Sequence, residues 1–126
     1  MLDDDKGGEM VNKMSLFPKE LLMYQKYLPA FEALYEQAGE KIQLSARCLF
    51  TEQKGGRINL VFEDLSLKNY RNIDRLKGFN MEAMRHALNK LAELHAASAV
   101  YEEQNGEYPA DFKKGFVDDT QIEFAQ

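Results

Sequence analysis

The run Ile58-Asn59-Leu60-Val61-Phe62-Glu63-Asp64-Leu65 constrains this chain more than any other stretch of it. Ile58 to Phe62 is rich in β-formers and has apolar residues at adjacent positions, which predicts a strand buried on both faces. Two carboxylates then end it abruptly, and a long polar connection follows. A strand of this kind needs a partner strand and something packed over it.

The partner lies immediately upstream. Ile42, Leu44, Ala46, Cys48 and Phe50 alternate with Gln43, Ser45, Arg47 and Leu49, the period of a half-buried strand. Lys54-Gly55-Gly56 is a hairpin turn, since glycine reaches positive φ without steric cost. Before the hairpin, Met14, Phe17, Leu21, Tyr24 and Leu28 recur every three or four residues, one face of a helix. Pro18 removes a backbone donor and is expected to kink or restart that helix. Pro29 interrupts it again, Phe31, Leu34 and Tyr35 continue a helical face, and Gly39 is placed to end it.

Beyond the acidic end, residues 66 to 79 read as a polar connector. Asn80 is a helix N-cap with Glu82 in the first turn. Met84, Leu88, Leu91, His95 and Ser98 form the stripe of a long helix, widened by Met81, Ala92 and Leu94, that Gly106 stops. On this reading His95 is a buried histidine bonded to neighbouring backbone, and Cys48 a buried structural thiol. The tail from Glu107 carries Tyr108, Phe112, Phe116 and Phe124 without a period, so it needs another surface to pack on. The expected fold class is α+β: a kinked N-terminal helix, an antiparallel β-hairpin, a long helix and an irregular tail.

Composition narrows the function classes. The 126 residues carry a net charge of -5, with basic residues scattered among acids, which argues against a nucleic-acid binder. Cys48 is the single cysteine, so neither an intrachain disulfide nor a cysteine metal cage is expected. His86 and His95 are nine apart, not the i, i+4 spacing of a helical metal pair, and no metal site is expected. No apolar run approaches the ~20 residues needed to span a bilayer, so no membrane association is expected. The acidic start, Met1-Leu2-Asp3-Asp4-Asp5, is unlike a signal peptide, and the expected location is cytoplasmic.

Longer motifs point to a family. Leu60-Val61-Phe62-Glu63-Asp64-Leu65-Ser66 resembles the strand-and-hinge signature of the insect ecdysteroid-kinase-like family, a choline-kinase-like relative of the aminoglycoside phosphotransferases. Phe17-Pro18-Lys19-Glu20-Leu21-Leu22-Met23-Tyr24 resembles its αC motif, and Asn69 to Phe79 its post-hinge segment. Leu91-Ala92-Glu93-Leu94-His95-Ala96-Ala97-Ser98-Ala99 is similar to the family's "LAxxHAxSA" helix, and Tyr108-Pro109 with Phe112-Lys113 to its continuation. The resemblance covers about residues 10 to 120. Ala46 departs from it, standing where relatives often carry proline.

The resemblance implies a partial protein-kinase-like fold. Residues 1–9 would be a disordered start, 10–65 a partial N-lobe ending in the hinge, and 66–126 the connector and the start of a C-lobe. It implies ATP- and magnesium-dependent phosphorylation of a small-molecule hydroxyl, a steroid or similar alcohol, in the full-length family. By the same resemblance Glu20 is the αC glutamate that pairs with a phosphate-holding lysine. Phe62 is the residue at the back of the adenine pocket. The Glu63 carbonyl and the Leu65 amide are the hinge groups that bind adenine. Phosphoryl transfer also needs a glycine-rich loop, a strand lysine, a catalytic loop and metal-binding carboxylates. No stretch of this sequence resembles them, so catalytic residues, metal ligands and a cofactor are not expected for this chain. Two expectations follow. The chain is a fragment of such a phosphotransferase, inactive on its own; alternatively it is a truncated non-catalytic protein acting as an interaction module, self-associating through an exposed sheet edge and helix face.

Overall fold

The computed structural model describes residues 16–55 and 57–113. Residues 1–9, expected to be disordered, and the aromatics beyond Lys113 lie outside the described residues.

The described residues open with a helical line in three parts: α1 (Leu16–Leu22), a π-helical turn (Met23–Tyr27) and α2 (Leu28–Gln37). Pro18 falls in the first turn of α1, where its missing amide has no helical carbonyl to reach, so it starts the helix rather than kinking it. Pro29 has the larger effect. It has no amide to donate, and its ring would crowd the carbonyl four residues back. The turn before it is widened, with the Leu28 amide bonding back to the Met23 carbonyl, and the line continues without a break. α2 ends in a Schellman motif: the Gly39 amide bonds the Glu36 carbonyl at 3.0 Å and the Glu40 amide bonds the Tyr35 carbonyl at 2.9 Å. Gly39 takes φ +83°, the left-handed conformation that motif requires.

The hairpin pairs β1 (Cys48–Lys54) with β2 (Arg57–Phe62). The first strand begins at Cys48, not at Ile42 as the alternation predicts. Residues 43–47 are irregular, with a bend at Ser45, and side chains hold them: the Leu44 amide donates to Glu32 Oε1 at 2.8 Å, and the Arg47 amide to Glu63 Oε1 at 2.9 Å. The pairing also slips. Cys48 faces Phe62 but Phe50 faces Val61, which leaves Leu49 as a bulge. That extra residue reverses the faces, so Phe50 and Val61 point outward, 55% and 48% exposed. β2 therefore alternates between exposed and half-buried positions instead of being buried on both faces. Its inner face meets the helical line: Tyr24 lies edge-on to Phe62 with ring centroids 4.6 Å apart, and Gln25 Nε2 donates to Thr51 Oγ1 at 2.6 Å.

A short 3-10 turn, Leu65–Lys68, leads through the connector to α3 (Met81–Asn105). Asn80 caps α3 as its sequence predicts, with Oδ1 accepting from the Ala83 amide at 2.8 Å, and Gly106 ends it. Only the second half of α3 meets the core, through Leu94, Ala97 and Tyr101. Met84, Leu88 and Leu91 are 40%, 54% and 45% exposed. The predicted stripe is thus displaced by one position at its C-terminal end. His95 is exposed rather than buried, and Cys48 is half-buried with Sγ 3.6 Å from the Phe50 carbonyl.

The core is aromatic. Tyr27 is 2% exposed and lies within 5.2–6.3 Å, ring centroid to ring centroid, of Phe31, Tyr101, Tyr108 and Phe112. The tail thus docks on the helices through Tyr108 and the 3-10 turn Ala110–Lys113. The Tyr108 hydroxyl donates to the Ser98 carbonyl at 2.9 Å and sits 2.8 Å from Ser98 Oγ. Tyr35 donates from its hydroxyl to the Glu93 carbonyl at 3.1 Å, a second tie between α2 and α3.

Tyr27→Ala should lower the stability of the chain by about 3–5 kcal/mol, by lost burial and an unfilled cavity. Tyr27→Phe, which keeps the ring, should lie close to wild type, and Leu88→Glu should fall within about 0.5 kcal/mol of it. Urea melts of the three variants check this. A large loss in Leu88→Glu would restore the stripe read from the sequence.

Candidate functional site

The end of β2 is the most highly connected polar point among the described residues. Glu63 donates its amide to the Arg47 carbonyl at 2.9 Å, extending the hairpin pairing one step beyond the strands. Its carboxylate turns back on the same segment. Oε1 accepts from the Arg47 amide at 2.9 Å and from Gln43 Nε2 at 3.0 Å, and Oε2 pairs with Lys68 Nζ at 2.6 Å. One side chain thus joins the irregular segment 43–47, the end of β2 and the 3-10 turn. The Lys68 ammonium, followed by the Arg47 amide and the Gln43 side chain, holds the Glu63 carboxyl at about 2, well below its ordinary 4.5.

Asp64 forms the next part. Its Oδ1 accepts from the Ser66 amide at 2.8 Å, an Asx turn that starts the 3-10 helix and holds the Asp64 carboxyl below its usual range. Asn69 ends the turn in the left-handed region at φ +63°, and the Tyr70 amide closes onto the Leu65 carbonyl at 3.2 Å. With the Ser66 amide taken by Asp64, the Glu63 carbonyl has no backbone donor among the described residues. The Leu65 amide has no backbone acceptor among them.

The residues singled out in the sequence are placed as follows. Phe62 ends β2 with its ring against Tyr24. Glu20 is exposed on α1, one turn before Tyr24. Burial first, and then the charge of Glu20, push the Tyr24 hydroxyl pKa up. Glu63 and Leu65 follow Phe62 directly. Phe62, Glu63 and Leu65 are thus neighbours at the strand end, while Glu20 stands on α1. The sequence reading used the Glu63 backbone and missed its side chain. An Asp-x-Ser triplet signals the Asx turn, but nothing local announces that Gln43 and Arg47 converge on Glu63 from sixteen or more residues away.

Other features lie elsewhere. An apolar groove of about 450 Å³ runs between α2 and α3, lined by Leu34, Tyr35, Ala38, Ala96 and Val100. Among the described residues no group of three or more His, Cys, Asp or Glu side chains could hold a metal ion, and no helix is long and apolar enough to cross a membrane.

A helical line over an antiparallel hairpin, an acidic turn and a long helix is an α+β arrangement, that of a partial kinase-like fold. The model of the ecdysteroid kinase-like family matches residues 1–126, and the chain belongs to that family. No curated protein and no solved structure matches it.

The folded Glu63 value lies below the ordinary 4.5, so the charged carboxylate adds stability above about pH 4.5. That increment is lost as acid titrates the folded group toward about 2. The melting-temperature gap between wild type and Glu63→Gln should be constant above about pH 5 and close progressively below it. A gap that does not change with pH would contradict the ionic connection.

Proposed function

We propose that this chain supplies the adenine-binding hinge of an ATP-dependent phosphotransferase acting on a small-molecule hydroxyl, a steroid or similar alcohol. The observation that carries the reading is the open pair of backbone groups after Phe62. The Glu63 carbonyl and the Leu65 amide, two residues apart and free of backbone partners among the described residues, offer the acceptor and donor that an adenine edge complements. Phe62 would close the back of that pocket, and Glu20 would meet the lysine that holds the phosphates. ATP, as phosphoryl donor, and magnesium, as its accompanying metal, belong to this proposal for the full-length family and not for this chain.

Magnitudes limit what the hinge does alone. Two hydrogen bonds contribute about 0.5–1.5 kcal/mol each, whereas millimolar binding corresponds to about 4 kcal/mol. The remainder must come from adenine burial and from phosphate contacts. This sequence has no stretch resembling a glycine-rich loop or catalytic loop, so we assign it nucleotide recognition without phosphoryl transfer. The purified 126-residue chain should show no magnesium-dependent γ-phosphate transfer to a steroid alcohol.

Leu65→Pro tests the hinge directly. Asp64 is already extended, φ -80° and ψ +105°, a conformation compatible with a following proline. Leu65 opens a helical turn, where proline is tolerated. The substitution deletes the donor, and adenosine affinity should fall about 2- to 10-fold, the worth of one hydrogen bond. Equal affinity in the two proteins, measured by titration, would remove the Leu65 amide from the site.

A second reading is favoured by exposed apolar surface. Leu49, Phe50 and Val61 lie outward on the hairpin, and Leu67, Leu76 and Met81 are 83%, 85% and 71% exposed. On this reading the chain is a non-catalytic module that self-associates through the hairpin and α3. Sedimentation should then show concentration-dependent dimers. A monodisperse monomer with a cooperative melt would contradict it.

A further inference from the structure

We propose that Glu63 acts through its side chain as a positioning residue, fixing the aim of the two hinge backbone groups. This rests on the hinge reading above. Peptides after the last ladder bond of a strand are ordinarily free to turn. Here the three segments that meet at the hinge are joined by one carboxylate, with contacts of 2.6 Å to Lys68, 2.9 Å to the Arg47 amide and 3.0 Å to Gln43. The Glu63 amide bonds the Arg47 carbonyl as well, so the residue grips Arg47 from both its backbone and its side chain. The peptide between Glu63 and Asp64 is therefore held from its N-terminal side.

Lys68 supplies the hold from the other side. It lies at the end of the 3-10 turn, and its ion pair with Glu63 folds that turn back over the strand end. The Asp64 Asx turn removes the one amide placed to close onto the Glu63 carbonyl. An isolated exposed ion pair is worth little. This one differs in geometry, because the Glu63 side chain is 16% exposed and its carboxylate already takes two donors from a distant segment. The expected consequence is preorganisation: the carbonyl and the amide face solvent before a ligand arrives, and less ordering is required on binding.

Lys68→Met and Glu63→Gln separate this role from general stability. Lys68 is 47% exposed on a short surface turn, so its replacement should leave the fold intact. Amide exchange at Glu63, Leu67 and Tyr70 should accelerate about tenfold in both variants, while amides near Ala97 keep the wild-type rate. Adenosine affinity should weaken about fivefold. Acceleration spread evenly to α3, or unchanged adenosine affinity beside a wild type that binds, would overturn the positioning role. A wild-type chain that binds no adenosine, with exchange still confined to the hinge, would refute the nucleotide reading and support the carboxylate as the hinge's mechanical tie.

Discussion

The packing of Tyr27 is what the rest of the fold depends on. The described residues form only a two-stranded sheet, and such a hairpin is marginal without a helix against it. Tyr27 provides the common point. It sits on the π turn where α1 becomes α2, and its ring meets Tyr101 of α3 and both Tyr108 and Phe112 of the tail. Aromatic pairs in edge-on geometry add to the area they bury. Three residues earlier on the same turn, Tyr24 takes the hairpin through Phe62. The widened turn that Pro29 imposes thus carries both contacts, one toward the core of helices and one toward the strand end that leads into the site.

This arrangement gives the site its character. Phe62 is anchored by Tyr24 and cannot shift without disturbing the helical line. The chain leaves β2 at a defined point, and the Glu63 carboxylate then holds the exit. Rigid support on one side and solvent on the other is what a backbone recognition element needs. The proposed donor and acceptor are main-chain groups beside the segment that the Glu63 carboxylate ties to Arg47, Gln43 and Lys68. On the proposed hinge reading, specificity for a flat ligand would come from that geometry more than from the identity of Leu65.

Local chemistry was readable in the sequence wherever it acts over a few residues. Asn80 as a cap, Gly39 and Gly106 as stops, and Lys54-Gly55-Gly56 as a turn depend on neighbours alone, and the structure shows caps and stops at Asn80, Gly39 and Gly106 and the strand pairing closing from Lys54 to Arg57. What escaped depends on distant partners. The alternation through Cys48 and Phe50 predicts one face for both, but a bulge at Leu49 separates them, and a bulge leaves no mark in apolar periodicity. The long-helix stripe includes His95, whereas the core uses Leu94, Ala97 and Tyr101. The tail aromatics select that face, and the tail has no period of its own. The four site residues Glu20, Phe62, Glu63 and Leu65 came from family motifs. The carboxylate network on Glu63 came from contacts that only the folded chain creates.

The central claim is that adenine meets the backbone after Phe62. Nuclear Overhauser contacts between adenosine and the isotopically labelled chain test it most directly. The account predicts contacts from the adenine ring protons to the Leu65 amide and the Phe62 ring. Contacts instead to Leu34, Ala96 and Val100, in the groove between α2 and α3, would place the ligand elsewhere and contradict it.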